Sequence, residues 1–411
     1  MSSTVRILPA GAARTALALA VAALAVAARP VHAQAQAPAA DPVSAGDVTF
    51  GLCGPFSGVA KELGMQLRIG LDVAFAAANE AGGVAGRKVH LVPLDDAYDP
   101  AKTLPCMKEL VERRRVFGVV GSIGSATAAV AVPYANEKSV LFFGAFSGAP
   151  LLRNDPPDRF VFNYRASYAE ETAAIVRHLV EVRRIDPTAI AVMAQDDAYG
   201  EAGFDGVARA MRRYHRDPAK MVRVVYHRGT AEVDEAVKGI RKAGAKVKAV
   251  VMVASYKPAA RFIEKLRDAG ADLIFTNVSF VGSNELAEEL SQLGPRYADG
   301  VIVTQVVPNP ASQASAILKY REQLKKYAPG EKTGFVSLEG WLVGRLLLEG
   351  LQRAGKGLTT DSLIEALEGI HALDLGIGVP LSFSPSEHQA SHKVWGTAMD
   401  GKGAFKPIDL E

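Results

Sequence analysis

Short apolar runs alternate with longer stretches of helical spacing along most of the chain. Strands are predicted where apolar residues stand together between turn signals, and helices where they recur every three or four positions. A first series reads as strand 47–52, helix 63–81 stopping at Gly82-Gly83, strand 89–94, helix 100–114, strand 116–120, a helix through Asn136 and strand 140–143. A second series reads as helix 170–183, strand 189–193, helix 203–214, strand 221–227, helix 234–243, strand 249–254, helix 259–270, strand 273–277, helix 284–293 and strand 301–305. Helices 314–327, 336–354 and 361–369 follow, and a Pro/Ser-rich tail, 378–406, reads as a β-hairpin. Repeated βα units need parallel sheets with helices on both faces. A chain of 411 residues exceeds what one core usually serves, so the expected fold class is α/β with two doubly wound parallel-sheet lobes.

In such sheets ligands sit outside the carboxyl ends of the strands. The turns carrying Ser57, Ser125, Ser147, Tyr199, Tyr256 and Ser279 all fall there and form one candidate set. The most distinctive is 116–133, VFGVVGSIGSATAAVAVP: a buried-strand pattern, a Gly/Ser loop and a helix start. The first backbone N–H groups of a helix lack internal partners and carry the positive end of its dipole. With the hydroxyls of Ser125 and Thr127 added, the stretch suits an anionic head group such as a carboxylate, although many such turns only cap a helix.

Composition changes the picture at the N-terminus. Arg6 and Arg14, an Ala/Leu/Val run at 15–28 and Val31-His32-Ala33 fit a cleaved secretory signal over 1–33, followed by a mobile Ala/Pro/Gln segment, 34–45. No Cys lies nearby to carry a lipid anchor, so export to the periplasm in soluble form is expected. Of 47 basic residues three lie in 1–33, which leaves 44 against 44 acidic ones. The basic balance belongs to the leader, and the footprint of a nucleic-acid binder is missing. The two cysteines, Cys53 and Cys106, face an oxidising compartment, and whether they pair is open.

Chemistry beyond binding finds little support. GPFSG at 54–58 and GAFSG at 144–148 are not nucleophile elbows, and the loop 121–127 lacks full dinucleotide-binding spacing. Asp95-Asp96 suits turn closure more than a cation, and His388 and His392 lie in a tail with Pro385 and Ser386 that argues against a helical metal pair. No cofactor or metal is expected.

GPFSG at 54–58, NEAGGVAGRKVHLVPLDDAYDP at 79–100, VVGSIGSATAAVAVPYANE at 119–137, DDAYGEAG at 196–203 and VASYKP at 253–258 resemble, in that order, the leucine/isoleucine/valine-binding family of periplasmic solute receptors. The resemblance implies a type I periplasmic-binding fold whose lobes are joined by three crossovers, near Arg165, Gln305 and Gly378. Lobe one would comprise 46–165 plus 305–377, and lobe two 166–304 plus 378–411. It also implies a monomer that captures a small molecule without chemistry and delivers it to an inner-membrane ABC permease. A sensor partnering a membrane receptor, or a secreted enzyme acting on a small acid or amide, are the alternatives.

Carried over by position, the family's carboxylate contacts fall on Gly124-Ser125 and on Phe146-Ser147-Gly148, where Gly148 replaces a usual Thr. The two tyrosines reaching in from the second lobe fall on Tyr199 and Tyr256. The amino-group half departs: Val278-Ser279-Phe280 stands where amino-acid receptors place a glutamate, and Leu63 replaces a tyrosine. A buried ammonium without its carboxylate costs about 2–5 kcal/mol. Either Glu170, Glu171, Asp196 or Asp197 substitutes, or the ligand is a carboxylate, aromatic acid or amide in a pocket lined by Phe56, Phe146, Phe280 and the tyrosines. Arg165 suits both a carboxylate clamp and an interlobe salt bridge. The disulfide common in the family joins positions held here by Tyr98 and Gly124.

Overall fold

The computed structural model describes residues 43, 44 and 46–410. The expected leader, 1–33, and nearly all of 34–45 lie outside the described residues. β1 (Asp47–Gly54), α1 (Lys61–Glu80), β2 (Lys88–Asp95), α2 (Pro100–Lys108), β3 (Gly118–Val120), α3 (Ser125–Lys138), β4 (Leu141–Phe143) and β5 (Val161–Phe162) come first. They build a five-stranded parallel sheet in the order β2-β1-β3-β4-β5.

α4 (Tyr168–Arg177), β6 (Ile190–Gln195), α5 (Ala198–Arg213), β7 (Arg223–Tyr226), α6 (Asp234–Ala243), β8 (Ala249–Val253), α7 (Tyr256–Asp268), β9 (Ile274–Asn277), α8 (Ser283–Leu293), α9 (Pro295–Ala298) and β10 (Ile302–Gln305) follow. After α10 (Ser315–Tyr327), α11 (Phe335–Ala354) and α12 (Thr360–Glu368) come β11 (Trp395–Met399) and β12 (Phe405–Ile408). The second sheet runs β12-β11-β10-β9-β8-β6-β7, parallel except for the antiparallel β11 and β12. β6 and β8 are buried at every position, as strands covered on both faces must be.

Each sheet reverses its winding beside its first strand, between β1 and β3 and between β6 and β8. The carboxyl ends at those two points carry the turns leading to Ser125, Tyr199 and Tyr256, the switch-point position at which such sheets hold ligands. α11 returns to the first sheet and crosses α1 with backbones in contact: a Cβ on Gly70 would stand 2.0 Å from the Ser337 carbonyl oxygen, and one on Gly340 2.2 Å from that of Leu67. That close approach sets the depth of Glu339, next to Gly340.

Three features depart from the expectations. β5 was unrecognised because two residues carry no period. The third passage between sheets lies later than Gly378: Phe383 packs edge-on against Phe143 and Phe162, and His388 stacks on Phe162 at 3.8 Å, so the chain stays with the first sheet to that point. It then runs beside the first passage, where the Asn163 N–H donates to the His388 carbonyl at 2.7 Å and the Ala390 N–H to that of Asn163 at 2.8 Å. The hairpin of the tail is confined to β11 and β12. Cys53 and Cys106, left open above, are joined by a disulfide, with Cα atoms 6.1 Å apart, tying the end of β1 to α2.

Candidate ligand-binding cleft

The first wall grows from two turns that pair with each other. After β3 the Gly124 N–H donates to the Phe146 carbonyl at 3.2 Å, and after β4 the Phe146 N–H donates to that of Ser122 at 2.8 Å. This brings the buried hydroxyls of Ser125 and Ser147 into a 2.8 Å hydrogen bond at the start of α3. The Thr127 hydroxyl is turned away, donating to the carbonyls of Ile123 and Gly124 in its own first turn. Ser57 also stays outside: it is exposed, and its hydroxyl donates to Asp95 at 2.6 Å. Phe56 is half-buried under Arg68, 5.9 Å from its ring centre. Asp95 and Asp96 close the turn after β2 by accepting the N–H groups of Ala97 and Tyr98.

Arg165 lies between β5 and α4 and is fully buried. Its Nε and Nη2 donate to the two carboxylate oxygens of Glu339, both at 2.8 Å, and the guanidinium lies 4.2 Å over the ring of Phe146. Burial favours the neutral form, yet Glu339 holds the group above its ordinary pKa. Nη1 is buried with no partner. Tyr168, the first residue of α4, presents a buried, unpartnered hydroxyl toward Ser147 and Ser125, and burial raises its pKa to about 12.

From the second sheet, Asp197 caps α5 by accepting the Tyr199 N–H at 2.9 Å, which places Tyr199 in the first helical turn rather than in a loop. The Tyr199 hydroxyl is likewise buried and unpartnered, and burial raises its pKa. Phe280, on the turn after β9, fills the space between the walls. Its ring centre lies 4.4 Å from Tyr199, 5.4 Å from Phe146, 6.0 Å from Tyr98 and 6.5 Å from Tyr168. The Ser279 N–H and hydroxyl donate to Glu171 at 2.7 and 3.0 Å, and Thr304 donates to the same carboxylate at 2.6 Å. Glu171 is buried, and burial raises its pKa against the pull of Arg165 and these donors. Tyr256 begins α7 and is buried with an unpartnered hydroxyl, but it faces Glu62 and Glu285 and takes no part in the ring cluster around Phe280.

The arrangement is a closed aromatic cage with three buried donors lacking acceptors.

A family model described as periplasmic binding protein matches residues 47–404. The chain belongs to the periplasmic binding protein family. Its fold is the type I fold of that family. This periplasmic binding protein is 37% identical to a possible leucine/isoleucine/valine-binding protein from Rhodopirellula baltica SH 1, whose crystal structure superposes with a TM-score of 0.84 over 90% of this chain and 98% of that one. Leu/Ile/Val-binding protein homolog 7 of Brucella abortus (strain 2308) is 25% identical over 381 residues, 88% of this chain and 92% of its own. A branched chain amino acid ABC transporter from Thermus thermophilus with bound valine has a TM-score of 0.76 at 21% identity, covering 88% and 96% of the two chains, which is a likeness of fold.

In this periplasmic binding protein Tyr98 and Gly124 touch. A Cβ on Gly124, at φ +106°, would stand 2.2 Å from Tyr98 Cε2, so the tyrosine ring packs directly on the glycine backbone. Tyr98 also reaches the second sheet, its hydroxyl accepting from Gln195 Nε2 at 3.1 Å. Of the four acids weighed as substitutes, only Glu171 meets the turn of Val278 to Phe280. Asp197 is a helix cap paired with Arg228, Asp196 is exposed beside His227, and Glu170 faces Ser167, Gln389 and His392. Sequence reasoning missed Tyr168 and Glu339. The signal for the first was present: Ser167 and Glu170 form a capping box, which starts α4 at Tyr168 instead of at Glu170.

Proposed function

We propose that the protein is the substrate-binding component of an ABC importer, exported to the periplasm, which captures a small carboxylate-bearing or amide ligand between two α/β lobes and performs no chemistry on it. The observation that supports this most is the set of buried donors at one place: Arg165 Nη1 and the hydroxyls of Tyr168 and Tyr199. A buried donor without an acceptor is costly, and a ligand head group placed among Ser125, Ser147, Arg165, Tyr168 and Tyr199 relieves all three. Gly124, Phe146, Ser279 and Phe280 complete the enclosure, whereas Tyr256, which faces Glu62 and Glu285, stands apart from it. Closure is a hinge motion of the strands that pass between the sheets, stabilised by contacts made only when the lobes meet.

The test is a thermal-shift screen of the purified mature chain against amino acids, aromatic acids, dicarboxylates and small amides, followed by calorimetry. A ligand at 100 times its dissociation constant adds about 2.7 kcal/mol to stability. Ser125→Ala and Tyr199→Phe are each expected to weaken binding about tenfold, a loss of about 1.4 kcal/mol. Unchanged affinity in both variants overturns the site.

A further inference from the structure

Resting on the reading of the cleft as the ligand site, we propose that it selects a planar aromatic ring bearing a carboxylate and no α-ammonium, and that Phe280 is the specificity-determining residue, holding in the free protein the place the ligand ring takes. Phe280 is fully buried between four rings supplied by separate segments: Tyr98 after β2, Phe146 after β4, Tyr168 at the start of α4 and Tyr199 at the start of α5. The centroid separations of 4.4 to 6.5 Å, tilted or edge-on, are those at which aromatic pairs attract beyond their buried area. What fills the cage is a flat ring, and the cage is shaped to a flat ring.

Four of the five rings have a fixed seat. Tyr98 is held by Gln195 and by packing on Gly124, Phe146 lies under Arg165, and Tyr168 and Tyr199 sit on capped helix starts. Phe280 belongs to the three-residue turn Ser279–Val281, which ends at Gly282 with φ +76°. The turn itself is tied to Glu171 through Ser279, but turning the Phe280 ring aside breaks no hydrogen bond, whereas Tyr98 is bonded to Gln195 and Phe146 lies under Arg165. Around it Arg165 Nη1 and the tyrosine hydroxyls offer donors to a carboxylate, and a carboxylate matches a guanidinium N–H best. Among the described residues around the cage, no unengaged carboxylate faces an ammonium. Glu171, the acid at this turn, already accepts from the Ser279 N–H, the Ser279 hydroxyl and Thr304, and burial favours its neutral form.

Calorimetry on the mature chain with benzoate, phenylacetate and cinnamate, each against its ring-saturated counterpart, against benzamide and against L-leucine, tests the proposal. At least one aromatic acid is expected to bind tenfold or more tighter than its saturated partner, than benzamide and than leucine. Phe280→Ala, which empties the cage, is expected to tighten that aromatic acid several-fold, because less of the free protein is self-occupied. Equal or tighter binding of the saturated acids or of leucine, no binding of any aromatic acid, or a tenfold weakening in Phe280→Ala overturns it. If leucine binds best and Tyr199→Phe weakens it, the cleft reading stands and this inference alone falls. If an aromatic acid binds with unchanged affinity in Tyr199→Phe and Ser125→Ala, the cleft reading falls and takes the inference with it.

Discussion

Two polar clusters lie side by side, one half-buried and one fully buried, and they differ in what is left over. Where the first and third passages between sheets run together, the donors of Arg153, Gln389 and His388 are bonded, and Asn163 Oδ1 is left without a partner. Arg153 donates to Gln389 Oε1 and to the carbonyls of Ser147, Ala149 and Arg165. Glu170 accepts from the Ser167 N–H, Gln389 and His392, and His388 sits between the Val161 carbonyl and Glu368. A few residues away, in the cage, three donors have no acceptor. Burying a polar group is tolerable only when it is paired, so a satisfied cluster is a fastening and an unsatisfied one marks a missing partner. Arg165 belongs to both: two of its nitrogens are fastened and the third has no partner.

The sharpest way to break this comparison is to cut the fastened side of Arg165. Glu339→Gln leaves a fully buried guanidinium without its counter-charge, and the expected loss of stability is about 3–5 kcal/mol, read from urea unfolding. Tyr168→Phe removes a hydroxyl that lies near Ser147 and Ser125 without an aligned hydrogen bond, so its unfolding free energy should stay within about 0.5 kcal/mol of wild type. If the two variants lose similar stability, used and unused groups are not distinguished as described.

The fastening can be sharpened with pH. Burial is the largest influence on Glu170 and pushes its pKa up, but His392, Ser167 and Gln389 together hold it down to about 2. Its contribution is therefore present above its ordinary 4.5 and lost as pH falls through that value toward about 2. His392 is raised by its bond to Glu170 against the opposing effect of burial. Its contribution is present below 6.5 and lost as pH rises through the folded value. The pair is thus strongest between about 4.5 and 6.5. Arg153, Glu387 and Gln389 also face the imidazole and enter the balance. His392→Gln should cost about 0.5–1 kcal/mol more at pH 5.5 than at pH 8.5, the imidazole being half exposed. A pH-independent difference would sink the assignment.

How much of this was legible in the chain follows from what carries a local signal. Asp234–Ala243 was bounded correctly because acids open it and Gly244 ends it, and the loop 121–125 was found because glycines and serines interrupt an apolar run. Helix starts were read late, at 170, 203 and 259 against 168, 198 and 256, because capping by Ser167 and Asp197 and a Pro258 tolerated in a first turn outweigh apolar spacing. Three things have no local signature at all. Arg165 meets Glu339 from 174 positions away, Cys53 meets Cys106 from 53, and the third passage is fixed by the ring of Phe383 against the first sheet. Residue type flagged Phe280 and Arg165, but only the fold could say that one fills the cage and that the other has one nitrogen unpaired.

The smallest expected effect tests the comparison at single hydroxyls. Ser125 and Thr127 stand two positions apart in the same first turn, yet Ser125 meets Ser147 and faces Tyr168, while Thr127 donates back to Ile123 and Gly124. Ser57, equally plausible from sequence, is committed to Asp95 at the surface. Thr127→Val removes a bond internal to the helix and keeps the side-chain volume, and Ser57→Ala removes one that water replaces. Each should change stability by no more than about 1 kcal/mol and ligand affinity by no more than about twofold, against the tenfold expected for Ser125→Ala. A tenfold loss in Thr127→Val would mean that a hydroxyl already engaged by the backbone also serves the ligand. The distinction between fastened and free groups would then not locate the site, and the helix N-terminus as a whole would have to be taken as the anion contact.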